Sequence, residues 1–263
     1  MCKKPSVAVY KFSSCDGCQL SLLNMEDDLF DLADAINIAF FLEATRAVQE
    51  GPYDIALVEG SVTTPHEIER IQEIRRQTKT LIALGTCATS GGVQALRNFA
   101  DAKEYANVVY AHPEYLNYLQ TATPISEHVQ VDLELWGCPV NKAQVLEVIT
   151  ALLNNRRPNL PPYSVCIECK RRGTICVLVD KGIPCLGPAT QAGCGALCPA
   201  NGRGCYGCFG PARDTNLNSL SGVLQKQERY PGETARLFRG ISGYAPSFRG
   251  IADALLPESK ETK

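Results

Sequence analysis

The sequence predicts an α/β protein: a doubly wound parallel sheet, followed by an irregular, cysteine-rich C-terminal domain. Three observations predict it. Strand-like and helix-like runs alternate through residues 6–153, the pattern of a parallel sheet with crossover helices. Four cysteines of that half, Cys15, Cys18, Cys87 and Cys138, each follow a strand-like run. Eight more crowd into residues 166–208, where glycine and proline are frequent and periodic apolar segments are few. With 263 residues and 45% hydrophobic residues, the chain is long enough to bury a sizeable core.

The elements come in this order. Residues 6–12 form a β-type run, and residues 19–32 carry apolar side chains at helical spacing. Residues 36–42 and 54–59 are the second and third strands. A helix is expected over 65–77, with Thr64 at its N-cap and Pro65 in the first turn. Residues 79–84 are the fourth strand. A less regular stretch leads to a strand at 129–135 and a helix at 142–153. The segment 154–163 is rich in proline and asparagine and reads as a linker, dividing a domain at 1–153 from one at 164–263. Residues 164–212 cannot build much of an apolar core and would depend on bound metal to fold. Residues 213–263 read as loop and short helix with a charged tail.

The composition excludes several classes. A formal net charge of −2 argues against non-specific nucleic-acid binding. No apolar run approaches the roughly 18–20 residues that span a bilayer. The first residues carry neither a secretory signal nor a twin-arginine pair, so nothing in them directs the chain out of the cytoplasm and a cytoplasmic location is expected. There is no internal repeat, no glycine-rich dinucleotide fingerprint after the first strand and no phosphate-binding loop of the G-x-x-x-x-G-K-[ST] type.

Cytoplasmic thiols stay reduced, so the 13 cysteines read as metal ligands rather than disulfides. Cys2, near the terminus and without a partner motif, is set aside. The remaining twelve make three sets of four, the ligand count of a cubane iron–sulfur cluster. Zinc is the alternative, since paired C-x-x-C motifs also suit tetrahedral sites. From Cys169 onward, however, the gaps between successive cysteines are six, eight, eight, three, six and two residues, which is no zinc-ribbon series. Cys15, Cys18, Cys87 and Cys138 lie at the carboxyl ends of strands, where open α/β sheets hold ligands, so they can converge on one site. The other eight allow many partitions into fours.

The motifs together resemble the small, electron-transferring subunit of nickel–iron hydrogenases over roughly residues 6–212. They are Cys15-Asp-Gly-Cys18, Glu59-Gly-Ser-Val62, Gly85-Thr-Cys87-Ala-Thr-Ser-Gly-Gly92, Gly137-Cys138-Pro139, Cys185-Leu-Gly-Pro through Cys194, and Cys205-Tyr-Gly-Cys208. The resemblance implies a flavodoxin-like N-terminal domain and a C-terminal iron–sulfur domain. It implies three 4Fe–4S clusters: a proximal one on Cys15, Cys18, Cys87 and Cys138, a medial one on Cys194, Cys198, Cys205 and Cys208, and a distal one on Cys166, Cys169, Cys176 and Cys185. Cysteine at 166 and 198, where the periplasmic uptake enzymes often have a histidine ligand and a three-iron centre, is similar to the cytoplasmic sulfhydrogenase-type, NAD(P)-linked branch. Leu20 stands where the uptake enzymes tend to have a glutamate, so no proton-relay role carries over to it.

The resemblance further implies a protein with no acid, base or nucleophile of its own. Its catalytic nickel–iron site lies on a large subunit, since this chain lacks paired C-x-x-C motifs near both termini. The implied partners are that large subunit together with NAD(P)/FAD-binding and ferredoxin-like iron–sulfur subunits. A related subunit of respiratory complex I shares the N-terminal domain but has an adjacent Cys-Cys pair, unlike Cys15-Asp-Gly-Cys18.

Other residues have plainer readings. His66, His112 and His128 lack metal-ligand spacing. Lys170-Arg171-Arg172 reads as solvated surface, with docking of an acidic redox partner as the sharper alternative. Glu59 ends a buried-type strand and suits either an interface or proton-path role or the capping of a turn. Trp136 reads as core packing.

Overall fold

The computed structural model describes residues 4–227 and 230–256. Cys2 and the charged tail from 257 lie outside them. The chain divides into two compact units, Met1–Leu160 and Pro161–Lys263.

The first unit is built on a five-stranded sheet: β1 (Ser6–Lys11), β2 (Asn37–Phe41), β3 (Tyr53–Glu59), β4 (Thr78–Leu84) and β5 (Leu133–Leu135). All neighbours are parallel, in the order β2-β1-β3-β4-β5. This is the flavodoxin-like doubly wound arrangement, with its switch point between β1 and β3. The central strands are buried on both faces, so they read as unbroken apolar runs such as Ile55–Val58 and Leu81–Leu84. Alternate positions along each strand feed different cores. Val7, Val9, Ile55, Leu57, Ile82 and Leu84 pack on one face with Leu22, Val145 and Ile149. Ala8, Tyr10, Ala56, Val58, Leu81 and Ala83 pack on the other with Ile71 and Ile74.

The helices of this unit are α1 (Gly17–Leu23), α2 (Asp27–Ala35), α3 (Pro65–Arg76), α4 (Gly85–Ser90), α5 (Ala102–Val109) and α6 (Lys142–Leu153). Thr64 caps α3 as its sequence predicts: its hydroxyl accepts from the Glu67 N–H while Glu67 reaches back to the Thr64 N–H, with Pro65 at the first turn. The single helix expected over 19–32 is two. Asn24 closes α1, and Glu26 takes a left-handed φ of 55° before α2 begins, which buries Met25 at the corner. The last strand is shorter than expected. Only Leu133–Leu135 pairs with β4, because His128 and Val129 instead close a 3₁₀ turn onto the Ile125 carbonyl.

The second unit holds α7 (Val165–Arg171), α8 (Val177–Asp180), α9 (Leu197–Ala200), α10 (Leu217–Gln225), α11 (Pro231–Phe238) and α12 (Pro246–Leu255). Beyond 213 the expected loop and short helix take a definite form. Three helices of 8–10 residues form there. They supply the apolar core that the cysteine-rich segment lacks: Leu220, Leu224, Phe238 and Phe248 pack around Leu186 and Ala189. The apolar spacing in these helices is short and interrupted by Gly222, Gly232 and Gly250, which hides it from a periodicity reading.

Among the described residues, no helix is long and apolar enough to cross a membrane.

Candidate metal centre

In the first unit the site forms at the carboxyl edge of the sheet. The turn after β1 carries Cys15, the first turn of α1 carries Cys18, the helix after β4 carries Cys87, and the loop after β5 carries Cys138. Their loops interlock. The Thr86 N–H donates to the Gly137 carbonyl at 2.9 Å. Gly85 has φ +84°, and a Cβ there would overlap Cys18 Sγ; Gly92 has φ +60°, and a Cβ there would lie 2.5 Å from Cys87 Sγ. These two glycines therefore leave room for the sulfurs as well as for the backbone turn. Gly17 stands between the Cys15 sulfur and Pro139, the residue after Cys138.

Electrostatics ties the same four together. Burial pushes the Cys18 thiol above its usual range, and the charge of Glu59 adds to it. Cys87 is pushed up to about 12, first by burial and then by Cys138, with Cys15 also felt. Cys138 is raised by burial and then by Cys15. Thiolate is the ligating form, so metal binding here would displace protons that burial otherwise retains. Gln94, which sequence reasoning missed, accepts from the Cys87 thiol at 3.4 Å and donates to the Ser13 carbonyl at 2.8 Å.

Glu59 has a defined role. Asp16, at the N-cap of α1, has a left-handed backbone and caps nothing with its side chain. The carboxylate of Glu59, only 2% exposed at the end of β3, takes its place. It accepts from the Cys18 N–H at 3.1 Å and the Gln19 N–H at 3.2 Å, two of the orphan donors of a helix start. Glu59 thus caps the start of α1, one of the readings open to the sequence. Beside it, the buried side-chain amide nitrogen of Gln19 has no partner among the described residues. Trp136 is half-buried, its indole N–H bonded to Glu134.

In the second unit, Cys166, Cys169, Cys176 and Cys185 line one cavity of about 100 Å³, with Lys170, Val177, Leu178 and Pro199 in its walls. Burial pushes Cys169 up to about 11 and raises Cys166 as well. The Cys185 sulfur accepts from the N–H groups of Gly187 at 3.4 Å and Cys205 at 3.2 Å. Of the remaining four, Cys194 feels the charge of Cys198, and Cys205, pushed up to about 12 by burial, feels Cys185 and then Cys208. Among the described residues, no three His, Cys, Asp or Glu side chains gather tightly enough for a single metal ion. The ligands of a cubane sit on separate iron corners, so sulfurs spaced around a cavity are what such a group requires. An all-thiol donor set, glycine-lined cradles and backbone N–H groups aimed at sulfur fit an iron–sulfur cluster.

The flanking residues mostly serve the fold. Arg171 donates to the Tyr163 hydroxyl at 2.6 Å and stacks over its ring, and Arg172 donates to the Gly195 carbonyl at 2.7 Å. His66 is exposed in the first turn of α3, His112 is exposed beside Glu114 and Tyr115, and His128 bonds the Thr123 hydroxyl.

A parallel flavodoxin-like sheet with four cysteines following the carboxyl ends of β1, β4 and β5 defines a class. The chain belongs to the family of the NADH ubiquinone oxidoreductase 20 kDa subunit, whose model matches residues 15–152. It is 39% identical over 220 residues to the sulfhydrogenase 2 subunit delta of Pyrococcus furiosus, covering 84% of this chain and 92% of that one. It is 30% identical over 175 residues to the NAD-reducing hydrogenase HoxS subunit delta of Cupriavidus necator, covering 60% of this chain and 83% of that one. Among solved structures it is similar to an NAD+-reducing [NiFe]-hydrogenase in the H2-reduced state, with TM-score 0.56 and 29% identity, over 60% of this chain and 96% of that chain. Both sequence relatives are hydrogenase subunits, and this chain is an oxidoreductase subunit of that kind.

Proposed function

We propose that the chain is the electron-relay subunit of a cytoplasmic nickel–iron hydrogenase. Cys15, Cys18, Cys87 and Cys138 hold a proximal 4Fe–4S cluster, Cys194, Cys198, Cys205 and Cys208 a medial one, and Cys166, Cys169, Cys176 and Cys185 a distal one. Its partners are a large subunit bearing the nickel–iron site and, beyond the distal end, an NAD(P)- or flavin-linked module with ferredoxin-like subunits. The observation that carries the reading is that four thiols, from the ends of three different strands, share the carboxyl edge of the sheet.

When bound, iron–sulfur clusters accept and donate single electrons. The chain's own part is to bind, orient and dehydrate. Its thiols supply the ligands, Glu59 fixes the start of the helix that carries Cys18, and the apolar cores keep water from the buried sulfurs. Low polarity and all-thiolate ligation favour low potentials, as exchange with the hydrogen couple demands. The relatives bear on the branch. The 220 residues matched in the sulfhydrogenase subunit exceed the first unit and so reach into the second. By contrast, 60% of this chain suffices to match 96% of the NAD+-reducing enzyme's chain. That supports the longer, sulfhydrogenase-like wiring.

The test is iron and acid-labile sulfide per chain on anaerobically purified protein, with EPR after dithionite reduction. About twelve iron atoms, with interacting 4Fe–4S signals, are expected. A count near four, or zinc in place of iron, refutes the three-cluster relay.

A further inference from the structure

Helix α7 carries Cys166 and Cys169, and between them stands Glu168. Its carboxylate reaches across to a loop 25 residues away in sequence. One oxygen accepts from the Gly193 N–H at 3.0 Å, and the other accepts from the Ala196 N–H at 3.2 Å. That second oxygen also lies 3.9 Å from Cys194 Sγ. One turn further along the same helix end, Arg172 donates to the Gly195 carbonyl of the same loop. Glutamate and arginine four residues apart thus grip three of the four residues 193–196.

The loop needs holding. Gly195 has φ +66°, and Ala196 has φ +54°, a left-handed conformation that costs a residue with a Cβ about 1–2 kcal/mol. In this conformation the N–H groups of Gly193 and Ala196 both face the Glu168 carboxylate. The Glu168 carboxylate thus occupies the concavity of N–H groups that the strained turn forms. The same device appears in the first unit, where Glu59 holds the N–H groups of Cys18 and Gln19. In both places a carboxylate from elsewhere in the chain binds the backbone of a cysteine turn.

We infer that Glu168 is a positioning residue for the C-terminal relay. It ties the helix bearing Cys166 and Cys169 to the loop bearing Cys194, and its charge lowers the potential of the cluster on the Cys194 set. The inference rests on the ligand grouping proposed above. Glu168 is not a ligand and touches no catalytic centre; it acts through the loop it holds and through its charge near sulfur.

The test uses the anaerobically purified complex with wild type, Glu168→Gln and Glu168→Ala. Iron and sulfide are counted, and each cluster is titrated by EPR against potential. Glu168→Gln, which keeps the shape and one acceptor but loses the charge, is expected to retain about twelve iron atoms and raise the midpoint potential of the cluster on the Cys194 set. Glu168→Ala, which frees the loop, is expected to lose about four iron atoms, or the spin coupling between the two C-terminal clusters. An unchanged potential in Glu168→Gln overturns the inference, as does wild-type iron and coupling in Glu168→Ala. If wild type itself holds about four iron atoms, it is the three-cluster reading that fails, and the inference falls with it.

Discussion

Replacing Glu59 by alanine removes the acceptor of two buried donors at once. The Cys18 and Gln19 N–H groups, 3.1 and 3.2 Å from the carboxylate oxygens, have no intrahelical acceptor at the start of α1. A buried donor left unpaired costs about 1–3 kcal/mol, so the pair amounts to about 2–6 kcal/mol. Two effects oppose the loss: removing a buried carboxylate relieves its own desolvation, and water can enter the vacated space. The expected net effect is therefore at the low end, about 2 kcal/mol. That corresponds to about thirtyfold faster amide exchange over residues 17–23, at about 1.4 kcal/mol per factor of ten. It also corresponds to a Tm lower by about 4–8 °C. Glu59→Gln keeps one acceptor and should fall between. Exchange measured by mass spectrometry on the two variants separates these cases. Wild-type exchange over 17–23 in Glu59→Ala would refute the capping role.

Gly85→Ala should lower iron by about four atoms per chain, since the new Cβ occupies the position of Cys18 Sγ. Gly173→Ala is the control, because Gly173 also has a positive φ, of 68°, but nothing within 4 Å, so it should show backbone strain without iron loss. Phe238→Ala should cost about 3–5 kcal/mol, read as faster exchange across α10–α12. Glu147 accepts from both Arg156 guanidinium nitrogens and from the Asn159 N–H. The Arg156 hydrogen bonds, then that N–H, lower its pKa to about 2, below the unfolded value of about 4.3. A depressed carboxylate stabilises the fold above the unfolded pKa and loses that contribution as pH falls through the folded one. The stability difference between wild type and Glu147→Gln should therefore be constant above about pH 5 and vanish between about pH 4 and 2 in acid-unfolding curves.

The alternation of strands and helices, the bounds of α6 and the N-cap and first-turn proline of α3 were all legible locally. They depend on side-chain period and on residues three or four apart. So was the placement of Cys15, Cys18, Cys87 and Cys138 after strands. The break between α1 and α2 was not, because it turns on one left-handed residue, Glu26, whose neighbours give no glycine or proline signal. Short helix was legible beyond 213, but the bounds of α10–α12 and their shared core were not, because their short apolar stripes gain meaning only against Leu186 and Ala189.

The residues available for chemistry are written in the order of the amino acids: twelve thiols in motifs whose spacing suits cluster ligation. How those thiols are held depends on the folded chain. Glu59 meets Cys18 from 41 residues away, and Glu168 meets Gly193 from 25. Each accepts from backbone N–H groups, which every residue but proline carries. A contact to backbone leaves no mark in the partner's identity, so nothing in the partner's sequence announces it until the chain has folded.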